Sequence, residues 1–167
     1  FTGERGLIDA LRATRAIADH LGLLETEVLM SSTGVIGEEI PIEKLLDRIH
    51  TLITKLSTQG GHDAANAILT TDLVVKEVAF EARLGDRLVR IGGMAKGSGM
   101  IHPNMATMLG YISCDAGINP LKWNAIIKRV NDCSFNTITV DGDTSTNDSF
   151  IAFASGELLD DEYLDAL

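Results

Sequence analysis

The sequence predicts an α/β fold, on three observations. Apolar residues recur at helical spacing through much of the first 68 positions. From Val74 the period changes to two, and Gly85-Asp86 separates two alternating runs as a hairpin turn would. A second helical pattern then lies between two short apolar runs that read as strands.

In chain order, Thr2 is expected to cap a helix reaching about residue 20, with Leu7, Leu11, Ala18 and Leu21 on its inner face, and Gly22 ends it. Val28-Leu29-Met30 reads as a short buried strand running into a polar turn over Ser31–Gly37. Pro41 suits the first turn of a helix carrying Ile42, Leu45, Leu46, Ile49 and Ile53 to about Leu56, and a shorter helix follows over Asp63–Ile68. Val74, Val78, Phe80, Ala82 and Leu84 then alternate with charged residues, the turn follows, and Leu88–Ile91 forms the return strand. A strand is expected from Thr107 to Cys114. Asn119 and Pro120 open a helix that buries Trp123, Ile126, Ile127 and Val130. Ile138–Val140 reads as another strand, Asp141–Asp148 as a polar loop and Ser149–Ala154 as a last strand.

The length of 167 residues suffices for one substantial core. The chain begins Phe1-Thr2-Gly3 without an initiator Met and stops on Asp165-Ala166-Leu167, where a helix is expected to start, so a piece of a longer protein is expected. A formal charge of -10 disfavours nucleic acid and anionic membrane as partners. No apolar run reaches the roughly 20 residues of a spanning helix. Cys114 and Cys133 form no pairing motif and are read as reduced thiols of an intracellular protein.

Gly92–Gly99 holds four glycines in eight residues and is read as a loop, with a phosphate cradle as the first reading to weigh. Its spacing fits neither phosphate fingerprint: Lys96 precedes Gly97-Ser98, and a strand follows instead of a helix. The acidic loop places Asp141, Asp143 and Ser145 at alternate positions, as a calcium loop does, yet Thr146 replaces the turn glycine and Ala152 the closing glutamate. Side chains that satisfy turn backbone are the simpler account. His20, His50, His62 and His102 lack metal-ligand spacing, so no metal is expected.

A threonine nucleophile remains. A hydroxyl is inert at neutral pH without a base, and a nucleophile freed at its own N-terminus carries one in its α-amine. That amine, with a reference pKa of about 7.7 to 8.0 against about 10.4 for lysine, is a better base at neutral pH than Lys96. Thr107 after Ala106 is the candidate, although threonine at the start of a strand is also ordinary.

Gly93-Met94-Ala95-Lys96-Gly97-Ser98-Gly99-Met100-Ile101-His102-Pro103-Asn104-Met105-Ala106-Thr107-Met108-Leu109 resembles the self-cleavage segment of the glutamate N-acetyltransferase/ornithine acetyltransferase family of arginine biosynthesis. Ser32–Gly37, Thr70-Thr71-Asp72, Ser134-Phe135-Asn136 and Thr139–Asp148 extend the resemblance in the family's order across nearly the whole chain. The resemblance implies a layered αββα fold of the ornithine acetyltransferase/DmpA-like, N-terminal-nucleophile-like kind. It also implies a single α/β region of a larger precursor, cut between Ala106 and Thr107, with residues 1–106 ending an α chain and 107–167 beginning a β chain.

On the same basis Thr107 is the acetyl carrier, Thr33 and Gly34 form the oxyanion hole, and Thr70, Lys96 and Thr107 contact substrate. Thr71 stays an alternative to Thr70, and Asp72 a cap or turn acceptor. The implied reaction moves acetyl from N-acetylornithine to glutamate, releasing ornithine, in the cytoplasm, with no cofactor; whether acetyl-CoA also donates is open. An α2β2 heterotetramer or larger is implied. Phe1 stands where the family pattern suggests a smaller residue, and a β-chain glutamate and polar C-terminal residues of the family lie beyond Leu167. The competing readings are an N-terminal-nucleophile amidohydrolase or aminopeptidase that passes the acyl group to water, and a noncatalytic anion- or calcium-binding domain.

Overall fold

A computed structural model describes residues 2–101 and 108–156. The chain forms two compact units, Phe1–Ala64 and Ala65–Leu167.

The first unit is a helical pair. Helix α1 (Gly3–Leu21) ends at Gly22, whose φ of 68° is left-handed, and helix α2 (Ile42–Thr54) packs against it. In α2 the expected face is the buried one, led by Ile42 and Ile49, and Pro41 stands one residue before the first turn. In α1 only Ala18 of the expected face is buried, together with Asp9, Ala13 and Thr14, while Leu7 is 61% exposed and Leu11 and Leu21 are exposed too. The buried Asp9 carboxylate accepts from Arg5 and Arg12 at 3.2 and 3.4 Å, and Arg12 also donates to Glu43 of α2 at 2.7 Å. Thr2 stands at the N-cap but makes no side-chain cap bond.

Val28–Met30 is not a strand. A 3-10 turn at Glu25–Glu27 precedes it, Leu29 is 62% exposed, and none of the strands among the described residues pairs with it. An apolar triplet makes a strand only where a neighbour takes its backbone groups. A turn closes at Val35–Glu38, with Gly37 at φ 85°.

Helix α3 covers Gly61–Ala67. The second unit is built on a four-stranded sheet in the order β1-β2-β3-β4, formed by β1 (Lys76–Leu84), β2 (Arg87–Lys96), β3 (Leu109–Cys114) and β4 (Ser149–Ala154). The β1–β2 hairpin turns on Gly85-Asp86, as the pattern requires, with Leu84 opposite Arg87 and Gly85 at φ 59°. Strands β2 and β3 are antiparallel, whereas β3 and β4 are parallel and need a crossover, which helix α4 (Pro120–Cys133) supplies. Leu84, Val89, Cys114, Ala116 and Ile118 form the core, and Trp123 and Ile126 of α4 pack on it.

Two expectations fail here. The glycine-rich stretch is not all loop: β2 continues through Gly92-Gly93-Met94-Ala95-Lys96, with Gly92–Ala95 paired with β1 on one side and Gly92–Lys96 with β3 on the other. Ile138–Val140 is irregular, and Val140 N–H donates instead to the Ile101 carbonyl at 2.7 Å. The α/β class holds. Cys114 is buried and Cys133 exposed, both unpaired, and burial pushes the Cys114 thiol up.

Candidate active site

Lys96 closes β2 and stands in register with Leu109, the first residue of β3, which in turn pairs with Ser149, the first residue of β4. One row across the sheet therefore joins the candidate lysine, the strand that follows Thr107 by two residues, and the end of the acidic loop. Ala106 and Thr107 themselves lie outside the described residues.

Lys96 is only 2% exposed, and its Nζ donates to Thr70 Oγ1 at 3.2 Å. Two candidate residues 26 positions apart thus meet in one place. Burial holds the Lys96 ammonium below its ordinary pKa, and the nearby Lys76 acts in the same direction, while Asp72 and Asp148 oppose it.

Asp72 acts as a turn acceptor. Its buried carboxylate takes the Lys76 ammonium and the Gly97 N–H, the latter at 2.8 Å, and Lys76 also donates to the Gly97 carbonyl at 3.0 Å. Desolvation alone would raise the Asp72 pKa, but these bonds outweigh it and the net direction is down. Thr71, the alternative to Thr70, is engaged with Ser98 at 2.6 Å between hydroxyl oxygens. The backbone beyond β2 is thereby fastened to the 70–72 segment.

The acidic loop serves the same stretch from the other side. Asp141 Oδ2 accepts the Met100 N–H at 2.6 Å and Oδ1 the Ile101 N–H at 2.9 Å. Asp148 Oδ1 accepts the Met108 N–H at 2.8 Å. These carboxylates are spent on backbone, which fits the simpler account of the loop, though the backbone is that of a distant segment. Among the described residues no group of three or more His, Cys, Asp or Glu could hold a metal ion. Desolvation raises the Asp148 pKa in spite of its bonds, and its Oδ2 is buried without a hydrogen-bond partner among the described residues.

Thr33 and Gly34 belong to the first unit, in an irregular segment where Thr33 is half-buried and Gly34 exposed. A Cβ built on Gly34 would meet nothing within 4 Å. Sequence reasoning missed the anchoring by Asp141 and Asp148 and the part of Lys76. The acidic loop was visible as a motif, but its targets are separated from it by some 40 residues.

A mixed sheet that delivers a buried lysine and a fastened polypeptide segment to one end defines an α/β protein with a built polar site. The model of the ArgJ family matches residues 1–167, and the chain belongs to that family. It is 65% identical over 99% of its length to the "Arginine biosynthesis bifunctional protein ArgJ" of Prochlorococcus marinus, and 55% identical over 93% to the protein of that name from a Synechococcus strain. It covers 40% and 38% of those proteins, so the chain spans about two fifths of the curated relatives it matches. A crystal structure of the Bacillus halodurans protein of the same name superposes with a TM-score of 0.56 at 41% identity, over 63% of this chain and 55% of that one. No helix among the described residues is long and apolar enough to cross a membrane.

Proposed function

We propose that the parent protein is an acetyltransferase of arginine biosynthesis that carries acetyl on Thr107 after cutting itself between Ala106 and Thr107. The observation that carries this reading is the register of Lys96 with Leu109, reinforced by the Lys96–Thr70 bond, because it brings both substrate candidates to the strand that Thr107 precedes. The family membership and the names of the relatives support the pathway.

In self-cleavage the Thr107 hydroxyl attacks the Ala106 carbonyl carbon, the C–N bond breaks, and the proton passes to the departing nitrogen. Water then hydrolyses the ester, leaving a carboxylate on Ala106 and a free hydroxyl on Thr107. The α-amine now serves as base, and the hydroxyl takes acetyl from N-acetylornithine. Ornithine leaves, glutamate enters and accepts the acetyl group, and Lys96 pairs with a substrate carboxylate. Thr33 and Gly34 donate to the oxyanion of each tetrahedral intermediate, where one donor is worth roughly a hundredfold to a thousandfold in rate. Processing yields α and β chains that assemble as α2β2 or larger, in the cytoplasm.

Mass spectrometry of the full-length parent tests this: a β chain beginning at Thr107, absent in Thr107→Ala, is expected. An uncut parent, or a Thr107→Ala variant that still transfers acetyl, refutes it. Release of acetate without transfer to glutamate would assign a hydrolase instead.

A further inference from the structure

The polar loop between α4 and β4 grips both flanks of the proposed cleavage segment. Ahead of it, Asp141 takes the N–H groups of Met100 and Ile101, while the Ile101 carbonyl accepts from Val140 N–H at 2.7 Å and from Thr139 Oγ1 at 3.2 Å. Behind it, Asp148 takes the Met108 N–H, and the Met108 carbonyl accepts from Ser149 N–H at 3.0 Å. Met108 follows Thr107 directly in the chain.

Met100 adds an independent sign of constraint. It has a φ of 55°, and it is the only non-glycine residue at positive φ among the described residues. A left-handed backbone is disfavoured for a residue with a side chain. The Asp141 bond to its N–H holds it there. Asp148 is likewise committed: one oxygen holds Met108, and the other is buried near the charge of Lys96.

We propose that Asp141 and Asp148 are positioning residues for self-cleavage, Asp141 fixing the chain ahead of the Ala106–Thr107 bond and Asp148 fixing the chain behind it. The inference rests on the processing reading above. The attack needs the Thr107 hydroxyl and the carbonyl before it in near-attack geometry, and a small misplacement costs rate steeply. Once the bond is broken the two flanks are separate chains. Asp148 then still orients the nucleophile through its neighbour, while Asp141 holds only the new α-chain tail.

The test uses the full-length parent with Asp141→Ala, Asp148→Ala, Asp148→Asn and Asp148→Glu. Cleavage is followed in time by mass spectrometry, and kcat and KM for acetyl transfer are measured on the purified cut enzyme. Asp148→Ala is expected to slow cleavage by roughly tenfold to hundredfold and to lower kcat with KM little changed. Asp141→Ala is expected to lose at least about ten times more in cleavage than in kcat. Asparagine keeps the one acceptor that Met108 needs, so Asp148→Asn cleaves within about threefold of the parent, whereas Asp148→Glu keeps the charge but displaces the acceptor and is slow. This pair decides the matter even if an alanine variant does not fold. Parental cleavage rates in Asp148→Ala and Asp141→Ala, or rescue by glutamate and not by asparagine, overturn the proposal while leaving the processing reading intact. An unmutated parent that never cuts overturns both.

Discussion

Asp148 Oδ1 accepts the Met108 N–H at 2.8 Å across 40 residues of chain, and its second oxygen is buried near Lys96. Asp72 approaches the same lysine from the 70–72 segment, with a buried carboxylate that is fully engaged on one oxygen by Lys76 and Gly97. The two aspartates therefore titrate in opposite directions from the ordinary value of 3.8.

Their contributions to stability must then depend on pH with opposite sign. Desolvation works against the ionised Asp72, but its bonds to Lys76 and Gly97 prevail and the folded pKa is depressed, so its contribution is present above 3.8 and lost as pH falls through the folded value. Asp148 is raised by desolvation, so its contribution is present below 3.8 and lost as pH rises through the folded value. Urea unfolding at pH 3 and pH 6 should find Asp72→Asn more destabilising at pH 6, and Asp148→Asn more destabilising at pH 3. Parallel profiles for the two variants would refute the assignment.

Lys96 predicts the alkaline limb. Burial is the main cause of its lowered pKa, so the folded state holds this proton less tightly than the unfolded chain does. Its contribution is present above 10.5 and lost as pH falls through the lowered value. Relative to Lys96→Met, the parent should gain stability as pH rises through the lowered folded value towards 10.5. The measurement is the difference in urea-unfolding free energy between the two proteins at each pH. A flat difference across the window would mean that Lys96 is solvated.

Much of this architecture was legible in the residues because local chemistry decided it. Gly85-Asp86 between alternating runs fixed a hairpin, Asn119-Pro120 fixed a helix start, and the spacing of Ile42, Leu45, Leu46, Ile49 and Ile53 fixed the buried face of α2. What escaped depended on partners. Val28–Met30 and Ile138–Val140 have strand composition but no strand beside them among the described residues, whereas Gly92-Gly93 has loop composition and a strand on each side. Glycine permits a loop without requiring one. In the site, Lys96 and Thr70 were found through resemblance, but their bond and the Asp148 anchor are tertiary facts that no spacing encodes.

The two helix starts give a paired prediction about caps. Asn119 accepts the Leu121 N–H at 3.0 Å, with Pro120 in the first turn, whereas Thr2 makes no side-chain cap bond. Asn119→Ala should cost about 1 kcal/mol in chemical denaturation. Thr2→Ala should cost no more than about 0.5 kcal/mol, as for a surface change away from such features. Equal losses would mean that the hydroxyl of Thr2 caps α1 in solution.

Gly110 carries the last prediction, because its missing side chain is what seats an aromatic pair. Phe135 and Phe150 meet edge to face with centroids 5.0 Å apart, and a Cβ on Gly110 would lie 3.1 Å from Phe150 and 3.3 Å from Phe135. Both rings must shift to admit a methyl group, and Gly110 lies one residue into β3, between Ala95 of β2 and Phe150 of β4, so the backbone cannot easily yield. Overpacking of this kind costs about 1–3 kcal/mol. Gly110→Ala should therefore lower the unfolding free energy by that amount, and Phe135→Leu in the same chain should recover part of it by removing the ring's far edge. If the double variant is no more stable than Gly110→Ala alone, the loss comes from the strand itself and the aromatic pair is not its cause.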